Sequence, residues 1–492
     1  MRLDELLPGS GRTQISSLAY DSRSVEPGAL FFCVSGLERD GHEFAPQAVR
    51  AGAAALVVER PLGLGVPEVL VESVRAAMGP VAARFYGEPT RRLRVVGITG
   101  TNGKTTTAYL VRSLIEATGE RCGLLGTIKS VIGGQERPAV RTTPEAVDLQ
   151  ADFRAMLDGG ERACAMEVSS HALALGRTAG VRFAAAIFTN LTQDHLDFHR
   201  TMEDYFQAKR RLFEPAPALS VVNVGDPYGA RLAEQVEGRL LTFALEGDAD
   251  YSAHELRSDP GGTRFTLRTP AGTHAVALPL PGRFNVANAL AALAAVHGLG
   301  GELEALVRAL ARGVRVPGRF EPVEEGQDFA VIVDYAHTPD SLHNVLLAAR
   351  ELAAPRGGRV LCVFGAGGDR DRAKRPLMGR VAAELADGVL VTSDNPRSED
   401  PQAIVAQIME GVAAAPRPAD APAAQAVLDR RAAIERAVAQ AREGDVLVIA
   451  GKGHEQGQEL AGGRKLPFDD VAVARQALAE RRAARAARVG SR

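Results

Sequence analysis

Short runs of β-branched and apolar residues recur along the chain, and most are followed by stretches with the three-to-four-residue hydrophobic spacing of a helix. In the first 90 residues the runs Leu30–Val34 and Ala55–Val58 predict strands, and Ser73–Tyr86 predicts a helix. Gly87-Glu88-Pro89-Thr90-Arg91-Arg92 combines breakers with charge and marks a boundary. Beyond it Arg94–Thr99, Ala163–Val168, Ala184–Thr189 and Ser220–Val224 predict strands alternating with helices, as in a mostly parallel sheet. Between residues 250 and 280 the runs shorten around turns at Pro260-Gly261-Gly262 and Ala271-Gly272, which predicts an antiparallel edge before an Ala-rich helix over Asn285–His297. Val316-Pro317-Gly318-Arg319 breaks the chain again, and Ala330–Val333, Val360–Phe364, Gly388–Thr392 and Val446–Ala450 predict a third α/β series. The Pro/Ala stretch at 413–424 predicts a surface loop, and the Arg-rich tail from Glu480 a solvated helix or frayed end.

A chain of 492 residues is too long for one ordinary core, which agrees with three domains at 1–90, 91–317 and 318–492. Fifty-eight basic against sixty acidic residues leave a net charge of −2, so no basic field invites nucleic acid, and any anionic substrate needs local donors. Cys33, Cys122, Cys164 and Cys362 stand far apart with no C-x-x-C pair and no metal-ligand spacing. The N-terminus lacks a basic segment followed by an apolar run, and no apolar stretch approaches the roughly 20 residues that span a bilayer. A cytoplasmic monomer without membrane insertion is the expectation.

The strongest chemical signal is Gly97-Ile98-Thr99-Gly100-Thr101-Asn102-Gly103-Lys104-Thr105-Thr106, set between an apolar strand and a helix predicted over Thr107–Glu116. A strand, a glycine turn and a helix N-terminus aim backbone N–H groups at phosphate oxygens; Lys104 would neutralise them, and the Thr105 hydroxyl would reach Mg²⁺. Ile98 stands where the general phosphate-loop pattern has its first glycine. The class is therefore α/β: a central P-loop-type, mostly parallel sheet domain, a small α/β N-terminal domain and a Rossmann-like C-terminal domain. Glu167 ends the run Ala163-Cys164-Ala165-Met166, where parallel sheets present functional groups, and His195 follows the next strand. Read alone, Lys209 is a solvated helix residue.

The runs Gly100–Thr106, Met166-Glu167-Val168-Ser169-Ser170-His171, Asn190-Leu191-Thr192-Gln193-Asp194-His195 and Ala208-Lys209-Arg210 resemble the Mur ligases of peptidoglycan synthesis. The likeness extends from Asp21-Ser22-Arg23 to Gly451-Lys452-Gly453-His454-Glu455. It implies an amide ligase that uses ATP and Mg²⁺ to convert a carboxylate into an acyl phosphate. By the same resemblance Glu167, His195 and Lys209 as a carbamate hold the metal with Thr105. Gly100, Thr101, Asn102, Gly103, Lys104, Thr105, Thr106, Asn285, Asn288, Arg319 and Asp334 contact ATP. Tyr20, Ser22, Thr142, Thr143, Ser169 and Arg177 contact UDP-N-acetylmuramoyl-L-alanyl-D-glutamate. Leu175 and Arg141 stand where some relatives carry glutamine and asparagine.

In this resemblance Asp394-Asn395-Pro396-Arg397 is the signature for meso-diaminopimelate, completed by Arg370, Gly451 and Glu455. Arg397 can pair with the distal carboxylate that diaminopimelate has and lysine lacks, and Asp394 and Asn395 can hold the distal amine. Two other readings remain: a phosphate-loop switch or motor with a protein-binding C-terminal domain, and a folylpolyglutamate synthase-like ligase. A dinucleotide site at Gly365-Ala366-Gly367-Gly368-Asp369-Arg370 is discounted, because Arg370 occupies the third glycine position.

Overall fold

The computed structural model describes residues 1–36, 39–416 and 422–490. Three main sheets divide it. The first has four parallel strands, Ser17–Ala19, Ala29–Phe32, Ala55–Val58 and Glu68–Leu70. The helix expected beside it runs Val74–Phe85, capped by the Ser73 hydroxyl, which accepts from the Ala76 N–H.

The second sheet has eleven strands, with Arg94–Thr99 near its middle between Phe183–Phe188 and Ala163–Glu167, both parallel to it. Alternate residues of that central strand feed opposite cores. Val96 and Ile98 pack with the Lys104–Ala117 and Arg283–Gly298 helices, while Val95 packs with Phe153, Met166 and Phe206. One edge is the expected antiparallel set Tyr251–Asp259, Gly262–Thr269 and Gly272–Leu278. The other edge, a hairpin of Lys129–Ile132 and Gln135–Pro138, was not anticipated, because Gln135–Pro138 is exposed throughout and lacks an apolar alternation.

The third sheet orders Glu321–Pro322, Ala330–Asp334, Val446–Ala450, Val360–Phe364, Gly388–Val391 and Gln425–Ala426, parallel except at its first strand. Its strands also feed two cores: Cys362 and Val448 face one, Val363 and Ile449 the other. All four cysteines are buried and free, and burial pushes the Cys33, Cys122 and Cys362 thiols up to about 12 and Cys164 well above its usual value. The helix Pro401–Ala414 enters the stretch expected to be a surface loop, of which residues 417–421 lie outside the described residues. Among the described residues no helix is long and apolar enough to cross a membrane.

Candidate functional site

Later strands lie on both sides of Arg94–Thr99, so the crevice beyond its C-terminal end is a topological switch point, where ligands of open α/β sheets bind. Residues 100–103 turn there into the helix Lys104–Ala117, which begins three residues earlier than expected. The turn uses Gly100 at φ 150° and Gly103 at φ 86°. A side chain on Gly100 would collide with the Thr189 hydroxyl, and one on Gly103 with the Asn288 amide. Ile98, the departure from the general motif, is a fully buried strand residue. The missing glycine costs nothing, because the turn starts two residues later.

Asn190 secures the loop: its backbone carbonyl accepts from Thr101 N at 2.9 Å and its side-chain oxygen from Asn102 N at 2.8 Å. The opening N–H groups of the following helix have no carbonyl one turn back and are left for an anion. Lys104 Nζ donates to the carbonyls of Gly100 at 2.9 Å and Thr101 at 2.8 Å, and Lys209 Nζ donates to Gly100 O at 2.7 Å. Burial pulls both ammonium groups down, Lys209 well below its ordinary value, and Lys104 adds to that effect on Lys209. Lys209 is 1% exposed and lies over the Tyr205 ring, 4.4 Å from its centroid. That corrects the reading of this residue as solvated.

Glu167 is 1% exposed; its Oε2 accepts from the Thr105 hydroxyl at 2.9 Å and the Thr127 hydroxyl at 3.0 Å, and its Oε1 from Thr127 N at 2.8 Å. Thr127 was missed, although it follows the end of the Cys122–Leu125 strand and so occupies the same kind of position as Glu167. His195 adopts φ 55°, and its ring lies 4.9 Å from that of His171 and 3.3 Å from Asp194. Burial keeps its imidazole neutral, against the pull of Asp194. Among the described residues no group of three or more His, Cys, Asp or Glu side chains could share a cation. The Thr105 and Glu167 oxygens form a hard donor pair that suits magnesium, and His195 and Lys209 line the same cavity.

These groups line one cavity of about 700 Å³ together with Thr101, Asn102, Gly103, Thr106, Thr142, Thr143, Ser169 and Arg177. Thr143 ties its floor: its hydroxyl donates to Glu167 O at 2.9 Å and accepts from Ser169 N at 3.1 Å, and Arg177 donates to its carbonyl at 3.2 Å. The third unit closes the far side with Arg319, Asp334 and Arg370. Arg319 donates to the Thr105 hydroxyl at 3.2 Å while stacking on Tyr335, and Asp334 accepts from the N–H groups of Phe320 and Ala336 at 2.6 and 2.7 Å. Asn288 lines the cavity and accepts from the Thr107 hydroxyl at 3.3 Å. Asn285 and Gly100 do not line it; Asn285 donates to Pro281 O at 2.8 Å and supports Asn288 from behind.

Tyr20 and Ser22 also lie outside this cavity. Tyr20 donates to Asp148 at 2.5 Å, which ties the first sheet to the helix Ala146–Asp158, and Ser22 donates to Gln47 at 3.1 Å. A second cluster lies at the C-terminal ends of Gly388–Val391 and Val446–Ala450, where Asp394, Asn395, Pro396, Arg397, Gly451 and Glu455 come together. Asn395 donates to Glu455 at 2.8 Å, and Arg397, at φ 50°, donates to Glu459 at 3.0 Å and Gly368 O at 2.7 Å. Asn395, one of the two residues expected to hold the distal amine, has the protein partners Glu455, Lys452 and the Glu459 N–H in this structure. Lys452 and Glu459 were missed. Lys452 stands inside the run Gly451–Glu455 with no role implied for it, and Glu459 carries no motif.

Three family models match the chain: the Mur ligase middle domain over residues 98–296, the Mur ligase glutamate ligase domain over 318–453 and the Mur ligase family catalytic domain over 14–86. A UDP-N-acetylmuramoyl-L-alanyl-D-glutamate--2,6-diaminopimelate ligase of Geobacillus thermodenitrificans is 47% identical over 98% of this chain and 100% of its own length. A solved structure of an enzyme with the same description is 34% identical, with a TM-score of 0.71, covering 98% of this chain and 99% of its own. Folylpolyglutamate synthase from Mycobacterium tuberculosis, 20% identical with a TM-score of 0.60 over 77% of this chain and 92% of its own, shares the fold.

Proposed function

The chain belongs to the Mur ligase family, and from that membership we propose that it adds meso-2,6-diaminopimelate to UDP-N-acetylmuramoyl-L-alanyl-D-glutamate. The reaction makes a peptidoglycan precursor in the cytoplasm, consumes ATP and releases ADP and phosphate. Residues 1–90 take the UDP end of the nucleotide sugar, 91–317 the ATP and the peptide, and 318–492 the incoming amino acid. The observation that carries this reading is the convergence on one cavity of the loop around Lys104, the strand-end Glu167 and the cations Arg177, Arg319 and Arg370. Nucleotide, peptide carboxylate and amine can meet there.

The γ-phosphoryl group passes in line from ATP to the D-glutamate γ-carboxylate, giving an acyl phosphate. Lys104, with the loop N–H groups, holds the triphosphate and stabilises the charge that spreads over its oxygens in transfer. Thr105 and Glu167, with His195 and Lys209 as a carbamate, would hold Mg²⁺, which when bound neutralises the phosphate oxygens. Burial, which pulls the Lys209 ammonium well below its ordinary value, favours the carbamate, since only the free amine attacks carbon dioxide. Arg177 and Thr143 place the peptide, Asn288 and Asp334 the nucleoside, and Arg319 spans from the third unit to the loop. Arg397 takes the distal carboxylate of the diamino acid, whose other amine attacks the acyl carbon and expels phosphate. Enclosure by the third unit keeps out competing water.

The test is a coupled nucleotide-release assay on the purified chain with ATP, the UDP-dipeptide and each diamino acid in turn. ADP and orthophosphate are expected, dependent on both the peptide and meso-diaminopimelate. Release of AMP and pyrophosphate, or slow hydrolysis indifferent to the peptide, would overturn the reading.

A further inference from the structure

Most charges around Arg397 are already spoken for inside the protein. Lys452, fully buried, reaches Asn395 Oδ1 at 2.8 Å, Glu455 at 3.0 Å and Asp394 at 3.4 Å. Asn395 Oδ1 also accepts from the Glu459 N–H at 2.9 Å. Arg430 and Asp470, both buried, pair at 2.7 Å. Glu459 differs. It ends the strand Gly457–Glu459 of a small hairpin with Lys465–Pro467, and its side chain is 35% exposed. Its Oε2 accepts from Arg397 Nε at 3.0 Å, and Oε1 has no hydrogen-bond partner among the described residues. Arg397 in turn leaves Nη2 without one, and its backbone N–H donates to Glu459 O at 3.1 Å, so the two residues are fastened side by side. A Cβ on Gly367 would lie 3.0 Å from Arg397 Nη1 and 3.9 Å from Arg370 Cγ, and Arg370 lines the reaction cavity.

We propose that Glu459 is a specificity-determining residue that reads the ammonium standing beside the distal carboxylate of the diamino acid. The proposal rests on the functional reading above, in which Arg397 takes that carboxylate. An α-amino-acid centre carries both charges on one carbon, and its complement is a guanidinium and a carboxylate fixed next to each other, each with a free hydrogen-bonding position. A distal carboxylate without the ammonium gains Arg397 but is repelled by Glu459. A distal ammonium without the carboxylate gains Glu459 but is repelled by Arg397. Only a centre with both satisfies the pair, which rejects the two half-matched amines by repulsion as well as by missing contacts.

Three amines separate the terms: meso-diaminopimelate, 2-aminopimelate, which keeps the distal carboxylate but lacks the distal ammonium, and lysine, which does the reverse. Glu459→Gln keeps the side-chain shape and removes its charge. Its kcat/KM for meso-diaminopimelate is expected to fall about tenfold, mostly through KM, as for loss of one half-exposed charged hydrogen bond. Relief of repulsion raises the value for 2-aminopimelate, so the ratio between the two amines collapses, and Glu459→Asp restores part of it. Equal losses with both amines would make Glu459 a mere support for Arg397 and overturn the proposal alone, as would an unaltered ratio. Absence of diaminopimelate-dependent ADP release from the unmodified protein would instead remove the functional reading beneath it.

Discussion

The loop around Lys104 and the cluster around Arg397 handle charge in opposite ways. At the loop, Lys104 is buried against backbone carbonyls and forms no ion pair among the described residues. At the cluster, Lys452, Arg430 and Arg397 each face a carboxylate of the protein. Carbonyl dipoles orient an ammonium without cancelling its charge, so the loop stays electrostatically incomplete until a polyanion arrives. The cluster receives a ligand with balanced charges, and a site for such a ligand is best neutral by itself. An unpaired cation there would favour any passing anion over the correct amine.

The sharpest way to break this contrast is Lys104→Ala. With the cation gone the loop keeps its backbone donors, and amine-dependent ADP release is expected to fall roughly a thousandfold; near-normal turnover in steady-state assays would remove the role assigned to the charge. Arg397→Ala opens the cluster from the other side. The loss in kcat/KM should be about a hundredfold with meso-diaminopimelate and much smaller with lysine, and equal losses would count against a carboxylate clamp. Lys452→Met probes pairing itself, since it leaves Asp394 and Glu455 facing each other without their buried counter-charge. Urea denaturation should show a stability loss of about 3 kcal/mol, the low end for a broken buried pair because Glu455 is partly exposed. An unmoved midpoint would mean that the pairing is incidental.

Much of this arrangement was legible in the residues. The strands Arg94–Thr99, Val360–Phe364 and Val446–Ala450 stand where their apolar runs predicted them, because strands covered on both faces need unbroken hydrophobic sequence. Helix starts were less exact. The Lys104 helix was expected from Thr107, since its first turn, Lys104-Thr105-Thr106, is polar and serves the cavity rather than the core. Lys209 was opaque for a related reason. Its helix Met202–Arg210 is rich in charge, and only the packing of Tyr205 and the loop against it shows that the side chain is enclosed. Asn285 and Asn288 sit three residues apart on one helix, and sequence could not tell which reaches the cavity and which supports its neighbour. Glu459 was invisible because a hairpin of two three-residue strands is too short to show a periodicity, and its meaning comes wholly from Arg397, 62 residues earlier.

The buried thiols have a practical consequence. Cys33 follows a strand of the first sheet, Cys122 and Cys164 belong to the second, and Cys362 to the third, all with the thiol proton held tightly. A sulfhydryl needs both solvent and its anionic form to be alkylated, so the native chain shields every one from reagent. Each sheet thereby carries its own chemical tag for loss of structure. In a partly denatured sample, the order in which these positions take up label is the order in which the three sheets come apart.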